Sequence, residues 1–234
     1  MIKAVLLDWF TTLSKFEPPR EKLYCDAFGE LGVNVAEDRA ARGTLLGDEY
    51  LYTENMKSPL SKLPAEVRDE MYLCFPRMIA REAGIEVAPE IQKAVRDKVK
   101  LTFRAATYVL YEDVIPCVRA LKERGLPVGL VTNLREDINA HCRRLGLEPY
   151  LKFALTSEMV GFPKPDPRIF QAALDKISVK ADEAIFVGDQ YRIDVAGARN
   201  AGIHPILIDR YDLYPDVTDC PRIRTLLEVE KYAQ

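Results

Sequence analysis

The chain has 234 residues, of which 48% are hydrophobic and 29% charged; 36 acidic against 33 basic side chains leave a formal charge of −3. A chain of this length and composition buries roughly 70–75% of its unfolded surface, which excludes disordered, collagenous and fibrous architectures and removes the need for a disulfide or metal staple. No block of Lys or Arg offers a footprint for a phosphate backbone, so nucleic acid is not an expected partner, and an anionic ligand must be held by a local site. Five cysteines, Cys25, Cys74, Cys117, Cys142 and Cys220, share no short spacing. Such a set fits a reducing compartment better than a disulfide framework or a zinc site. The apolar run 4–7 is too short for a signal-peptide core, and no 18-residue apolar stretch follows. The expectation is a soluble, cytoplasmic protein without a membrane partner; no pattern speaks to the oligomeric state.

In chain order, residues 2–7 form a near-continuous apolar run of strand length, as expected of a strand buried on both faces. Residues 18–104 carry helical periodicity and no convincing strand. Leu23, Ala27, Phe28 and Leu31 line one helical face, and Gly32 sits where a C-terminal cap belongs. Residues 36–53 read as helix, although Gly43 and Gly47 weaken that reading. Val67, Met71, Cys74, Phe75, Met78 and Ile79 make the next face, where Pro76 predicts a kink or a break. Ile91, Val95, Val99 and Phe103 then repeat every four residues. Core packing accounts for all of these stripes.

From Val114 the pattern alternates. Helix 114–124 is closed by Gly125, strand 127–132 follows, and helix 134–145 is closed by Gly146. A short strand near 153–155, helix 167–177, strand 184–187, helix 192–201 closed by Gly202 and strand 205–208 complete the series. Strands alternating with helices predict a parallel sheet with right-handed crossovers, which the first strand must join. The expected class is therefore α/β, with a Rossmann-like parallel sheet built from residues 1–14 and 109–234. Residues 15–108 form an inserted all-helical segment.

Ligands of an open parallel sheet bind beyond the carboxyl ends of its strands. Four polar signals fall there. Asp8 ends the first strand, Thr132-Asn133 ends the next core strand, Lys164 lies in the loop before helix 167–177, and Gly188-Asp189 follows strand 184–187, with Asp194 five residues on. Each has a plain structural alternative. A strand-end Asp caps a turn, Asn133 with Glu136 has capping-box spacing, Asp166-Pro167 reads as an N-cap with Pro at the first helical position, and Asp194 suits a first helical turn. Their joint placement on one rim is what points to a site.

With these residues in hand, the sequence resembles the haloacid dehalogenase superfamily, whose members are mostly magnesium-dependent phosphatases. The apolar strand ending in Asp8 resembles the nucleophile motif, and Leu130-Val131-Thr132-Asn133 the second motif. Lys164-Pro165-Asp166-Pro167 resembles the lysine motif, and residues 187–194 the acidic metal motif. The resemblance implies that the insertion is a helical cap closing over the site. It further implies an in-line attack by Asp8 on phosphorus to give an aspartyl-phosphate. Mg²⁺ is expected to be held by Asp8, the backbone carbonyl of Phe10, Asp189 and Asp194. Thr132, Asn133 and Lys164 are expected to bind a small phosphorylated substrate, with Asp8, Thr132 and Lys164 in catalytic roles.

One position departs from the family's pattern. Its phosphatases usually carry a second Asp two residues after the nucleophile, which protonates the leaving group, and this chain has Phe10 there, followed by Thr11 in place of the usual Gly. General acid–base catalysis is typically worth about 10²–10⁴-fold, so hydrolysis of alkyl phosphates is the activity this change touches. Two alternatives follow. One is a 2-haloacid dehalogenase, because halide leaves without a proton, with Arg39 or Arg42 as a halide-binding counterpart. The other is a non-catalytic protein that keeps the fold and binds a phosphate-bearing ligand. Three carboxylates against one lysine favour the metal-dependent phosphohydrolase.

Overall fold

Ala4–Leu7 (β1) is buried over its whole length, which is what a four-residue apolar run requires when it is covered on both faces. The computed structural model describes residues 1–58 and 60–233. After β1 the chain turns through residues 8–13 into a short strand, Ser14–Glu17 (β2). Five helices follow: Arg20–Gly29 (α1), Glu37–Lys57 (α2), Ala65–Met71 (α3), Cys74–Glu82 (α4) and Pro89–Thr102 (α5). Thr107–Leu110 (β3) pairs with β2 in a two-stranded sheet. The chain divides within these two strands into two compact units, one of residues 1–15 with 108–234 and one of residues 16–107.

The helical unit is built on the expected stripes. Ala27, Phe28, Cys74, Phe75, Ile79, Val95 and Val99 are buried in one cluster with Tyr24, Ala40 and Leu51, and Leu23, Leu31, Met71, Met78, Ile91 and Phe103 pack against it. Three details differ from expectation. Gly43 and Gly47 do not interrupt α2 but make room for its neighbour, because a Cβ at Gly43 would lie 2.5 Å from the Ile79 Cα and one at Gly47 2.4 Å from the Phe75 ring. These are the positions where α4 crosses. The break near Pro76 falls upstream, between α3 and α4, which leaves Pro76 in the first turn of α4 where its missing N–H costs nothing. Val67, on the separate α3, is 45% exposed.

The second unit continues with Val114–Glu123 (α6), Val128–Thr132 (β4), Ile138–Arg144 (α7), Leu151–Thr156 (β5), Ser157–Val160 (α8) and Pro167–Ile177 (α9). Ala184–Gly188 (β6), Ala196–Asn200 (α10), His204–Ile208 (β7) and Arg222–Ile223 (β8) complete it. Six strands form a sheet in the order β5-β4-β1-β6-β7-β8, and every adjacent pair is parallel. The α/β reading holds. Leu6, Val131, Leu155, Phe170, Leu174 and Phe186 share one core, with Phe170 and Phe186 edge to face at 5.0 Å.

Five elements fall elsewhere than expected. β2 and β3 lie at the ends of a segment read as wholly helical, because four half-exposed residues give no usable alternation. β8, only two residues long, gives no signal at all. Helix α7 starts at Ile138 rather than at 134, since Asp137 accepts the Asn139 and Ala140 N–H groups and the Asn133–Glu136 capping box does not form. Residues 191–195 make a π turn before α10, with the N–H groups of Ile193, Asp194 and Val195 converging on the Gln190 carbonyl. Among the described residues, no helix is long and apolar enough to cross a membrane.

Candidate active site

β1 is where the strand order switches sides: β4 and β5 build outward from one edge of it and β6, β7 and β8 from the other. A crevice forms at such a point beyond the strand ends. Leu7 lies opposite Leu130 of β4 and Val187 of β6, so Asp8, Thr132 and Gly188 arrive together at one rim. The Asp8 N–H donates to the Val187 carbonyl at 2.9 Å, which fixes the residue as an extension of the sheet.

Asp8, Thr132, Lys164 and Asp194 are all buried. The Lys164 ammonium donates to Asp8 Oδ1 at 2.5 Å and to Asp194 Oδ1 at 2.7 Å, and sits 5.2 Å from the centre of the Phe186 ring. Burial pushes the Asp8 carboxyl up to about 6; Lys164 opposes that shift and the charge of Asp194 adds to it. Burial alone would lower the Lys164 pKa, but Asp194 and Asp8 outweigh it and leave the ammonium held above its ordinary value. Asp194 reaches this position because residue 188 is Gly. A Cβ there would stand 2.4 Å from the Asp194 side chain. Asp194 Oδ2 also accepts the Gln190 N–H at 3.0 Å.

Asp189 completes an acidic group. One carboxylate oxygen each from Asp8, Asp189 and Asp194 lies within 4.8 Å of the others. Thr12 donates its hydroxyl to Asp189 Oδ1 at 3.4 Å. The Thr132 hydroxyl accepts the Leu134 N–H at 3.1 Å, which leaves its own proton to donate. The Asn133 side chain closes on the lysine loop: its amide donates to the Lys164 carbonyl at 2.9 Å and accepts the Lys164 N–H at 2.8 Å. It braces the backbone that carries the ammonium.

The Phe10 side of Asp8 is aromatic. Phe10 and Tyr108 meet edge on at 6.3 Å, Trp9 and Tyr108 at 5.6 Å, and Tyr108 and His141 at 5.0 Å, while His141 Nε2 pairs with Glu136 at 2.8 Å. Arg39 and Arg42 lie in the helical unit, the first half exposed beside Asp38 and the second bonded to Glu82 at 3.0 Å. Sequence reasoning gave no role to Thr12 or Arg210, and it named Gly188 without the packing reason for it. Arg210 lies two residues past β7; the residue that follows β7 as Asp8 follows β1 is Asp209.

A family model described as haloacid dehalogenase-like hydrolase matches residues 2–202. The chain belongs to the haloacid dehalogenase-like hydrolases. As a member of this family it is a hydrolase. It is 33% identical over 242 residues to a glyceraldehyde 3-phosphate phosphatase of Methanopyrus kandleri, covering 98% of this chain and 97% of that one. It is 32% identical over 139 residues to the haloacid dehalogenase-like hydrolase domain-containing protein 3 of Bos taurus. That match covers 59% of this chain and 55% of the relative, so about half of the relative's length is spanned. Among solved structures, an L-2-haloacid dehalogenase superposes with a TM-score of 0.64 at 17% identity, covering 100% of this chain and 99% of that one. At that identity the likeness carries the fold alone.

Proposed function

We propose that this hydrolase is a magnesium-dependent phosphohydrolase that acts on a small phosphorylated metabolite through an aspartyl-phosphate on Asp8. The observation that carries the reading is the charge balance at the rim. Three carboxylates converge within 4.8 Å and one buried ammonium answers them. All-oxygen donors with surplus negative charge suit a hard divalent cation. Asp8, the Phe10 carbonyl, Asp189 and Asp194 are the groups that would hold it. When bound, it supplies positive charge for the phosphoryl oxygens and offsets repulsion between the carboxylates and an anionic substrate.

The protein's own groups then divide the work. One Asp8 oxygen attacks phosphorus while Lys164 steadies the carboxylate and the charge that develops on the phosphoryl oxygens. Thr132 donates its hydroxyl to the same group, and Asp194 and Asn133 hold Lys164 in place from its two ends. Water releases phosphate from Asp8 in the second step. Phe10 offers no proton to the leaving group, so substrates whose leaving groups depart as stable anions are favoured. In this reading residues 15–108 are the cap and residues 1–14 with 109–234 the catalytic core. The free cysteines suit the reducing cytoplasm.

The dehalogenase alternative draws on Phe10, because halide departs without a proton. It leaves the surplus of carboxylates unexplained. Hydrolysis of a panel of alkyl and aryl phosphates with and without Mg²⁺, beside Asp8→Asn, tests the proposal. Mg²⁺-dependent phosphate release that Asp8→Asn abolishes is the expected result. Halide release from 2-chloropropionate without Mg²⁺, and no phosphate from any ester, would overturn it.

A further inference from the structure

Arg210 lies two residues beyond β7, on the rim that also carries Asp8, since β6 and β7 run parallel. Its guanidinium grips Asp113 through two bonds, Nη1 at 2.9 Å and Nη2 at 3.0 Å. The remaining donors reach the turn after the nucleophile: Nε donates to the Thr11 carbonyl at 3.2 Å and Nη2 to the Thr12 carbonyl at 2.8 Å. The plane stacks 3.9 Å from the centre of the Tyr111 ring. Asp113 is held in turn by the Thr225 hydroxyl at 2.7 Å and the Leu226 N–H at 2.9 Å.

The turn it grips is strained. Thr11 has φ 65°, and a β-branched side chain rarely adopts that left-handed conformation. Such a residue persists only where its surroundings over-determine it. Within the turn, Thr11 N–H donates to the Ser14 carbonyl at 2.8 Å, and the Leu13 and Ser14 N–H groups both donate to the Trp9 carbonyl at 2.9 Å. From outside the turn, the Tyr111 N–H donates to the Leu13 carbonyl at 3.1 Å, and Arg210 holds the Thr11 and Thr12 carbonyls. Relaxation of φ at Thr11 rotates the peptide whose oxygen is the Phe10 carbonyl. It also moves Thr12, whose hydroxyl meets Asp189.

We propose that Arg210 is a positioning residue: by clamping the Thr11 and Thr12 carbonyls it holds Thr11 left-handed and thereby aims the Phe10 carbonyl and the Thr12 hydroxyl at the acidic group. A lysine cannot replace it, because one ammonium lacks the planar fork that serves two carbonyls and a carboxylate together. The metal part of this inference rests on the proposed magnesium site, and the backbone part does not.

The test compares wild type, Arg210→Lys, Thr11→Gly and the double variant. Mg²⁺ binding is followed by calorimetry with the metal alone, and backbone order by exchange of the Thr11, Leu13 and Ser14 amides. Arg210→Lys is expected to weaken Mg²⁺ binding and to speed exchange in the turn, each roughly tenfold, with the β1 amides unchanged. In the Thr11→Gly background, where no strain needs holding, the same substitution is expected to cost less than about twofold. Equal losses in both backgrounds, or a folded Arg210→Lys with unaltered exchange and affinity, overturn the proposal. If Arg210→Lys does not fold, the double variant is expected to; an unfolded double variant also overturns it. A wild type that takes up no Mg²⁺ contradicts the proposed function instead, and the clamp is then decided by the exchange rates.

Discussion

The two sides of Asp8 are built from opposite chemistry. Toward β6 and the loop before α9, the buried Lys164 and Asp194 meet beside the half-buried Asp189, with Asn133 bracing the lysine loop and Gly188 leaving room for Asp194. Toward the turn that follows β1, the groups nearest Asp8 in sequence are the Trp9 and Phe10 rings and backbone carbonyls gripped by Arg210. In the proposed reading the first side binds charge and moves a phosphoryl group. The second can hold a carbonyl still but cannot deliver a proton from Phe10. The difference teaches that one carboxylate can face a charged side built from distant loops and an aromatic side built from its own turn.

The largest expected effect comes from breaking the charged side. Lys164→Met leaves Asp8 and Asp194 buried without their cation, and loss of one partner of a buried pair typically costs about 3–5 kcal/mol. Chemical denaturation of the metal-free protein at pH 7 should show a loss of that order, and added Mg²⁺ should recover part of it. A variant as stable as wild type would mean that the pair is not buried in solution.

Repairing the aromatic side comes next. Phe10→Asp should raise turnover of an alkyl phosphate more than that of an aryl phosphate, by at most the ~10²–10⁴-fold that acid–base catalysis supplies. The aryl group leaves as a stabilised anion and needs little help. A folded, metal-binding variant with no gain on either ester would show that the missing acid is not what limits the enzyme.

A smaller effect sharpens the electrostatic reading. The Asp8 carboxyl is pushed from an ordinary 3.8 up to about 6 by burial, so the folded chain holds its proton more tightly than the unfolded chain does. Its contribution to stability is therefore fully present below about pH 4 and is lost as the pH rises through 6, by a few kcal/mol at most. Thermal melts of the metal-free protein should register this decline in wild type and not in Asp8→Asn. Excess Mg²⁺ should reverse it, because the cation favours the ionised form.

Much of this site was legible in the sequence because strand ends are legible. Asp8, Thr132 and Asp189 each follow or end an apolar run, and a parallel sheet delivers such positions to one edge whatever the loops do. The loops were harder. Asn133 looked like a cap or a substrate ligand, and only the closure of the lysine loop onto β4 shows it as a brace. The glycines of α2 looked like weaknesses until α4 was seen crossing at Ile79 and Phe75. Arg210 lies about two hundred residues from the carbonyls it holds, and no local pattern carries a bond of that separation.

The central claim is that Asp8 is the atom-bearing nucleophile of a phosphoryl transfer, and a phosphate mimic tests it without assuming any substrate. Beryllium fluoride added with Mg²⁺ should bind wild type and raise its melting temperature, and should leave Asp8→Ala unchanged. Equal binding to both proteins would contradict the assignment of Asp8 and the account built on it.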